Sequence, residues 1–333
     1  MNISTFLHKS YNILIVGALS LLFVACAQTN NNNNSVSQPL VSSVNEQENT
    51  FIFVTHRSGE TQVPVNPQNV VVFDMGILDT MYYLGLEDRV VGIPKSTVPP
   101  HLTYFYSDNY ADFGTLHEPN FEALIQYDID LIIISGRARP SFDELSLIAP
   151  TIDLGLEVGN QMATFMSNTR YIGLIFDLEE EVENHLSLIS EEVLYINNLA
   201  YEADLNGLIV LYNSGALSAF GASGRFGLIH DYLGIPTADT EVEVINHGMS
   251  ISYEYIVNVN PDILFVINRN YAVGEETINL TDFEDNELIR LTNAYQNNNI
   301  NYLNSWVWYI APGGITGIQE QIWGVRQALE SAM

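Results

Sequence analysis

Two stretches of the chain align without a gap over eighteen residues: NFEALIQYDIDLIIISGR (120–137) and SYEYIVNVNPDILFVINR (252–269). Each reads as a capped helical turn, a link ending in Asp, a four-residue apolar strand and a turn ending in Arg. Asn120 and Ser252 are the expected N-caps. Glu122 aligns with Glu254, Asp130 with Asp262 and Arg137 with Arg269, and Glu to Arg is 15 residues in both copies. A match of this length predicts two lobes of like construction. Around it, NVVVFD (69–74), GILDTMYYLGL (76–86) and RVVGI (89–93) read as strand, helix, strand, the rhythm of a parallel α/β sheet. TFIFVTHRSGETQVPV (50–65) reads as a hairpin turning at SGE.

The repeat separates two ends of each lobe. In open parallel sheets ligands sit beyond the carboxyl ends of the strands. Arg137 and Arg269 follow the strands LIII and ILFV, so two facing lobes would point both into a shared crevice. Glu122 and Glu254 precede the strands and are expected on the surface, far from the strand tips. Between the copies, residues 160–205 have few breakers and apolar positions every three or four residues, and are read as one helical connection. Its acidic run DLEEEVE (177–183) is read as a solvated face. GLIVLYN (207–213) opens the second lobe. SAFGASGRFGLIHDYLGI (218–235) reads as strand, glycine turn and helix, and residues 301–329 as a strand, an aromatic loop and a final amphipathic helix.

Charge narrows the function. Lys plus Arg is 11 against 40 Asp plus Glu, a formal net charge of -29. That excludes a general nucleic-acid binder, which needs basic residues in number to neutralise phosphates. Lys9 and Lys95 are the two lysines, so arginine carries nearly all the positive charge of the folded part. Residues 1–25 read as an export signal: Lys9 and His8 make a weakly basic start, and ILIVGALSLLFVA (13–25) is shorter than the roughly 20 apolar residues of a membrane span. The run ends at Cys26, the single cysteine, and FVAC resembles the lipobox of bacterial lipoproteins. On that reading Cys26 is lipidated, the mature protein is extracytoplasmic and membrane-anchored, and no disulfide or thiolate metal site is available. The Asn- and Ser-rich residues that follow, to about residue 50, are expected to be a flexible tether. A first lobe over 51–159 and a second over 206–333 complete the organisation.

GILDT, DLIIISGR, SAFGASGRFGLIHDYLGI, NHGMSIS, NPDILFVINRN and YLNSWVWYIAPGG, in this order and spacing, resemble the substrate-binding proteins of iron–siderophore ABC importers. These are relatives of the cobalamin and ferric hydroxamate receptors, and the resemblance is nearest to the ferric catecholate and petrobactin binders. It covers about residues 51–330. It implies a bilobal class III periplasmic-binding-protein fold, α/β, with two parallel-sheet lobes joined by a long helix. It implies that Arg137, Arg225 and Arg269 form a basic triad in the cleft, and that His247 and Tyr309 bind the iron of the siderophore. Relatives tend to read PEYWYL where this chain has NSWVWYI; Tyr309 falls on the expected tyrosine, with Trp306 and Val307 altering its surroundings. Glu122 and Glu254 are implied to meet the permease subunits. The implied protein is a monomeric binding protein, not an enzyme, with no permanent cofactor and a ferric catecholate as transported ligand.

The chemistry agrees with that implication. Ferric catecholates are anions, and a strongly acidic protein must offer them local positive charge. Arginine stays charged and presents a planar fork to paired oxygens. Phenolate is a hard donor suited to Fe(III), and imidazole is acceptable to iron. The residues leave alternatives. Buried arginines commonly pair with carboxylates, a lone histidine usually caps or sits on the surface, and Tyr309 lies in an aromatic run that reads equally as core. A receptor for a bare divalent metal, haem or cobalamin shares the architecture, but His56, His101, His117, His185 and His230 lack paired ligand spacing. A siderophore esterase would need a nucleophile elbow, and no G-x-S-x-G is present.

Overall fold

A computed structural model describes residues 51–245, 247–274 and 283–333. The export signal over 1–25, Cys26 and the tether to residue 50 lie outside the described residues. The hairpin consists of β1 (Phe51–His56) and β2 (Gly59–Pro64), and His56 pairs with Gly59. The chain therefore reverses at Arg57–Ser58, one residue before the expected position. The Ser58 N–H donates to His56 Nδ1, and the Ser58 hydroxyl donates to Asp153, which ties the hairpin to the first lobe.

That lobe contains β3 (Val70–Val72), α1 (Met75–Tyr83), β4 (Val90–Ile93), β5 (Ala111–Asp112), α2 (Phe121–Leu124), β6 (Leu131–Ile134), α3 (Phe142–Leu145) and β7 (Thr151–Asp153). Its sheet runs β5-β4-β3-β6-β7 and is parallel throughout. β6 is buried along its whole length, as expected for a central strand covered on both faces.

Two helices, α4 (Gln161–Phe176) and α5 (Glu179–Ala203), follow. The one long helix expected over 160–205 is thus broken. Asp177 turns left-handed at φ 57, and the Leu178 N–H closes back onto the Gly173 carbonyl at 2.8 Å. Gly173 lets the two helices approach: a Cβ there would lie 3.1 Å from Val182 of α5. A periodic pattern continues across such a turn, so the break is invisible in it.

The second lobe contains β8 (Gly207–Asn213), β9 (Ala216–Phe220), β10 (Met249–Ile251), α6 (Tyr253–Val259), β11 (Ile263–Asn268), α7 (Arg269–Ala272), α8 (Asn293–Gln296) and β12 (Ile300–Tyr302). Its sheet runs β10-β9-β8-β11-β12. This sheet is mixed rather than parallel: β9 is antiparallel to both β8 and β10. The cause is local. Ser214 and Gly215 both take positive φ, 50 and 88, which makes a two-residue turn of the twist that hairpins favour.

The repeat has a physical basis in these sheets. Asn120 caps α2 by accepting from the Ala123 N–H, and Ser252 caps α6 by accepting from the Tyr255 N–H. Asp130 accepts from the N–H groups of Gln68 and Asn69, clamping the chain where it enters β3. Asp262 accepts from the N–H and side-chain amide of Asn206, clamping the entry to β8 in the same way. In each lobe the repeated Asp therefore sets the register between the repeat strand and its inner neighbour, β6 on β3 and β11 on β8.

The last helix, α9 (Ile315–Ala332), leaves the second sheet and packs against α1 and α5. Its approach to α1 is close. A Cβ on Gly76 would overlap the Pro312 carbonyl, and one on Gly314 would overlap the Asp79 carboxylate. Asp79 is buried and accepts from the Gly317 N–H at 2.8 Å, holding the first turn of α9 to α1. The segment just before α9 is thereby fixed to the first lobe. Among the described residues no helix is long and apolar enough to cross a membrane.

Candidate functional site

Arg137 follows β6 and Arg269 follows β11, so each stands at the carboxyl end of a central strand. Arg225 lies in the glycine turn after β9. Between β12 and α9, residues Trp306–Ile310 form one widened helical turn, closed by the Ala311 N–H on the Trp306 carbonyl five residues back. Such turns leave main-chain carbonyls free for other partners and are frequent at functional sites. Gln321 of α9 steadies this one by donating to the Val307 carbonyl at 2.8 Å.

Tyr309, in this turn, is where the three arginines meet. Arg137 donates to the Tyr309 carbonyl at 2.8 Å and to the Ile310 carbonyl at 3.3 Å. Arg225 donates to the same Tyr309 carbonyl at 3.1 Å, with its guanidinium carbon 4.2 Å from the centre of the Tyr309 ring. Arg269 Nε donates to the Tyr309 hydroxyl at 3.1 Å. All four residues are half-buried. Trp308, by contrast, is core, edge-on to Phe226.

The acceptors are neutral, as the Gln68 side-chain oxygen is for Arg89, and that separates these arginines from four others in the chain. Arg139 pairs with Asp153, Arg170 with Glu183, Arg290 with Asp285, and Arg326 with Glu192 and Glu330. Among the described residues, no carboxylate oxygen comes within 4.0 Å of a nitrogen of Arg137, Arg225 or Arg269. The reading of the triad as ordinary carboxylate-paired arginines therefore does not describe this site. Burial, and then the charge of Arg225, lower Arg137 from the ordinary guanidinium value, against the opposing charges of Asp74 and Tyr309. Burial alone would raise the Tyr309 phenol, but the Arg269 hydrogen bond and the Arg225 charge outweigh it and hold it below the usual phenol value. The cluster is a concentrated positive field around a phenol made more acidic.

His247 does not join it. The residue is exposed ahead of β10 and has no hydrogen bond to the arginines or Tyr309. It is linked to the cluster through packing: a Cβ on Gly248 would lie 2.6 Å from Phe220, and Phe220 stacks edge-on with Phe226, its ring centre 4.6 Å away. Glu122 and Glu254 lie exposed in the first turns of α2 and α6, the amino ends of the repeat.

Two further residues at the site escaped the sequence reading. Asp74 caps α1, accepting from the Ile77 N–H at 2.8 Å; burial pushes its carboxyl up, while Ser135, the Ile77 bond and the charge of Arg137 oppose that. Its position at the end of VVVFD, just before a helix, was a usable signal. Gln161, first residue of α4, donates its side-chain amide to the carbonyls of Gly224 and Arg225. Nothing local to Gln161 announces that contact.

A family model described as periplasmic binding protein matches residues 70–306. The chain is 41% identical over 325 residues to the petrobactin-binding protein of Bacillus subtilis (strain 168), covering 97% of this chain and 99% of that one. A crystal structure of the B. subtilis petrobactin-binding protein superposes with a TM-score of 0.82 at 43% identity, covering 84% of this chain and 99% of the other. The periplasmic catecholate-siderophore binding protein of Vibrio cholerae superposes with a TM-score of 0.79 at 31% identity, covering 83% and 99%.

Proposed function

This chain belongs to the periplasmic binding protein family, and from that premise we propose that it captures an anionic ferric siderophore of the catecholate type between its lobes. It delivers the complex to the permease of an ABC importer. The observation that carries the reading is the triad itself: in a chain of net charge -29, three arginines converge on one tyrosine with no carboxylate of the described residues within 4.0 Å.

The geometry accounts for capture. Salt limits the long-range repulsion between an anion and the acidic surface to about 8 Å at physiological ionic strength. At contact, a unit pair at about 4 Å gains roughly 4 kcal/mol with an effective dielectric near 20, before desolvation. Arg137, Arg225 and Arg269 keep that charge available because their present partners are carbonyls and a phenol. The ferric ion is cargo. A hexadentate tris-catecholate fills its six positions, and the protein then offers charge and packing. A tetradentate bis-catecholate leaves two positions open; Tyr309 fills one, and His247, which has no hydrogen bond to the cluster in the free protein, fills the other when the complex binds. The lowered Tyr309 phenol gives up its proton to iron at less cost than a free one.

The remaining assignments follow the same reading. Glu122 and Glu254 dock on the permease, one from each lobe. Cys26 carries a lipid that anchors the mature protein, and Cys26→Ser should leave it unprocessed or released from membranes; a mature protein with residues 1–25 intact would refute this. The test of the function is fluorescence quenching of the purified protein against ferric tris-catecholate, bis-catecholate, citrate–catecholate, hydroxamate and haem. Tight binding confined to the catecholate complexes is expected. Preference for haem or a neutral hydroxamate complex would overturn the reading.

A further inference from the structure

Arg225 sits in a turn that contains three glycines within GASGRFG (221–227), packed closely enough that a Cβ on Gly227 would overlap the Asp231 carboxylate. Within the second lobe the turn is held by Asp231, which accepts from the Ser223 N–H at 2.8 and 3.0 Å. That contact lies two residues before Arg225. The carbonyl of Arg225 itself is held from outside the turn, by the side-chain amide of Gln161, which also reaches the Gly224 carbonyl at 3.3 Å. The orientation of this amide is fixed by chemistry: its NH2 group faces two carbonyl oxygens, and the flipped form would set three acceptors against one another. Gln161 opens α4, and α4 packs against α1 of the first lobe. The same α1 holds the Tyr309 segment through Gly76, Asp79 and α9. Both the main chain of Arg225 and the ring its guanidinium lies over are therefore referred to one frame.

We propose that Gln161 is a positioning residue of the anion site, setting Arg225 over Tyr309 by hydrogen-bonding the Arg225 and Gly224 carbonyls from the start of α4. The inference rests on the proposed capture of an anionic ferric complex. Gln161 does not touch the ligand. It acts through Arg225, so its effect disappears when Arg225 is already gone.

A double-mutant cycle tests this. The probe is the ferric complex of a tetradentate bis(2,3-dihydroxybenzoyl) diamine, titrated by fluorescence quenching into the purified protein. Gln161→Met keeps the length of the side chain and removes the donor. It should weaken binding about fivefold in the unaltered background, the scale of one or two neutral hydrogen bonds. In the Arg225→Ala background the same change should cost less than about twofold. Gln161→Ala, run through the same cycle, serves if the methionine variant does not fold. Thermal melts of each variant separate loss of aim from loss of fold. Equal losses in both backgrounds, or no loss in the first, would overturn the inference while leaving the functional reading intact. Failure of the unaltered protein to bind the probe, or binding indifferent to Arg225→Ala, would overturn the functional reading and the inference with it.

Discussion

Replacing Arg225 by methionine should move affinity and stability in different ways. In the free protein the change removes a hydrogen bond to the Tyr309 carbonyl, but Arg137 still donates to that carbonyl at 2.8 Å, so no acceptor is orphaned. It also removes a guanidinium 4.2 Å from the Tyr309 ring, a contact worth about 0.5–2 kcal/mol. Against those losses stands relief of repulsion, since after burial the charge of Arg225 is what most depresses Arg137. The effects oppose one another, and the melting temperature should shift by no more than about 3 °C in either direction. In the complex there is no such compensation. Loss of a charge-assisted contact to the ligand costs about 1.5–3 kcal/mol, or roughly 10- to 150-fold in affinity. Quenching titrations with ferric tris- and bis-catecholate, beside thermal melts of the free protein, measure both. A fall in melting temperature of about 8 °C or more with unchanged affinity for both complexes would show that Arg225 is structural.

Tyr309→Phe should weaken a tetradentate ferric bis-catecholate much more than a hexadentate tris-catecholate, and should shift the charge-transfer band of the former; an unchanged spectrum and equal losses would place Tyr309 off the metal. Glu122→Ala with Glu254→Ala should impair iron uptake in cells and leave ligand affinity unaltered, because both carboxylates lie at the amino ends of the repeat; a fall in affinity would contradict their placement. Gly76→Ala should destabilise by about 1–3 kcal/mol and also weaken binding, because its Cβ would overlap the Pro312 carbonyl and shift the Tyr309 segment; calorimetry and titration read the two effects. Burial would raise the Asp153 carboxyl, but Arg139, Ser58 and the Gly155 N–H hold it below its reference value of 3.8. Its stabilisation is therefore present above that value and is lost as pH falls through the lower folded one. Asp153→Asn should lower the melting temperature by several degrees at pH 7, and the difference should shrink as pH falls below 3.8.

The parts of the fold that were legible are those with local causes. Asn120 and Ser252 cap helices through bonds three residues away, so an Asn or Ser before a periodic run suffices to place them. LIII and ILFV are apolar throughout because central strands are covered on both faces, and the residue after such a strand must stand at the sheet's carboxyl edge. Hence Arg137 and Arg269 were placed from position alone. The Ser214–Gly215 turn is equally local, two residues of positive φ that reverse the chain into the antiparallel β9. Asp177 was not legible in this way, since its left-handed turn depends on α5 folding back over Gly173.

The sequence by itself determined the two-lobe plan, the carboxyl-edge arginines and the exposed glutamates, because apolar period, caps and strand ends are written within a few residues of one another. Only the tertiary structure decided that Arg137, Arg225 and Arg269 meet at Tyr309 with no carboxylate of the described residues within 4.0 Å, that Gln161 holds the Arg225 main chain, and that His247 has no hydrogen bond to them. With 40 acids available, a one-dimensional pattern cannot say which arginine finds a carboxylate and which a carbonyl. Those partners are 84 residues apart for Arg225 and Tyr309 and 172 for Arg137 and Tyr309. Their pairing is set by how α1, α9 and the two sheets pack, a property of the whole chain that no segment of it carries.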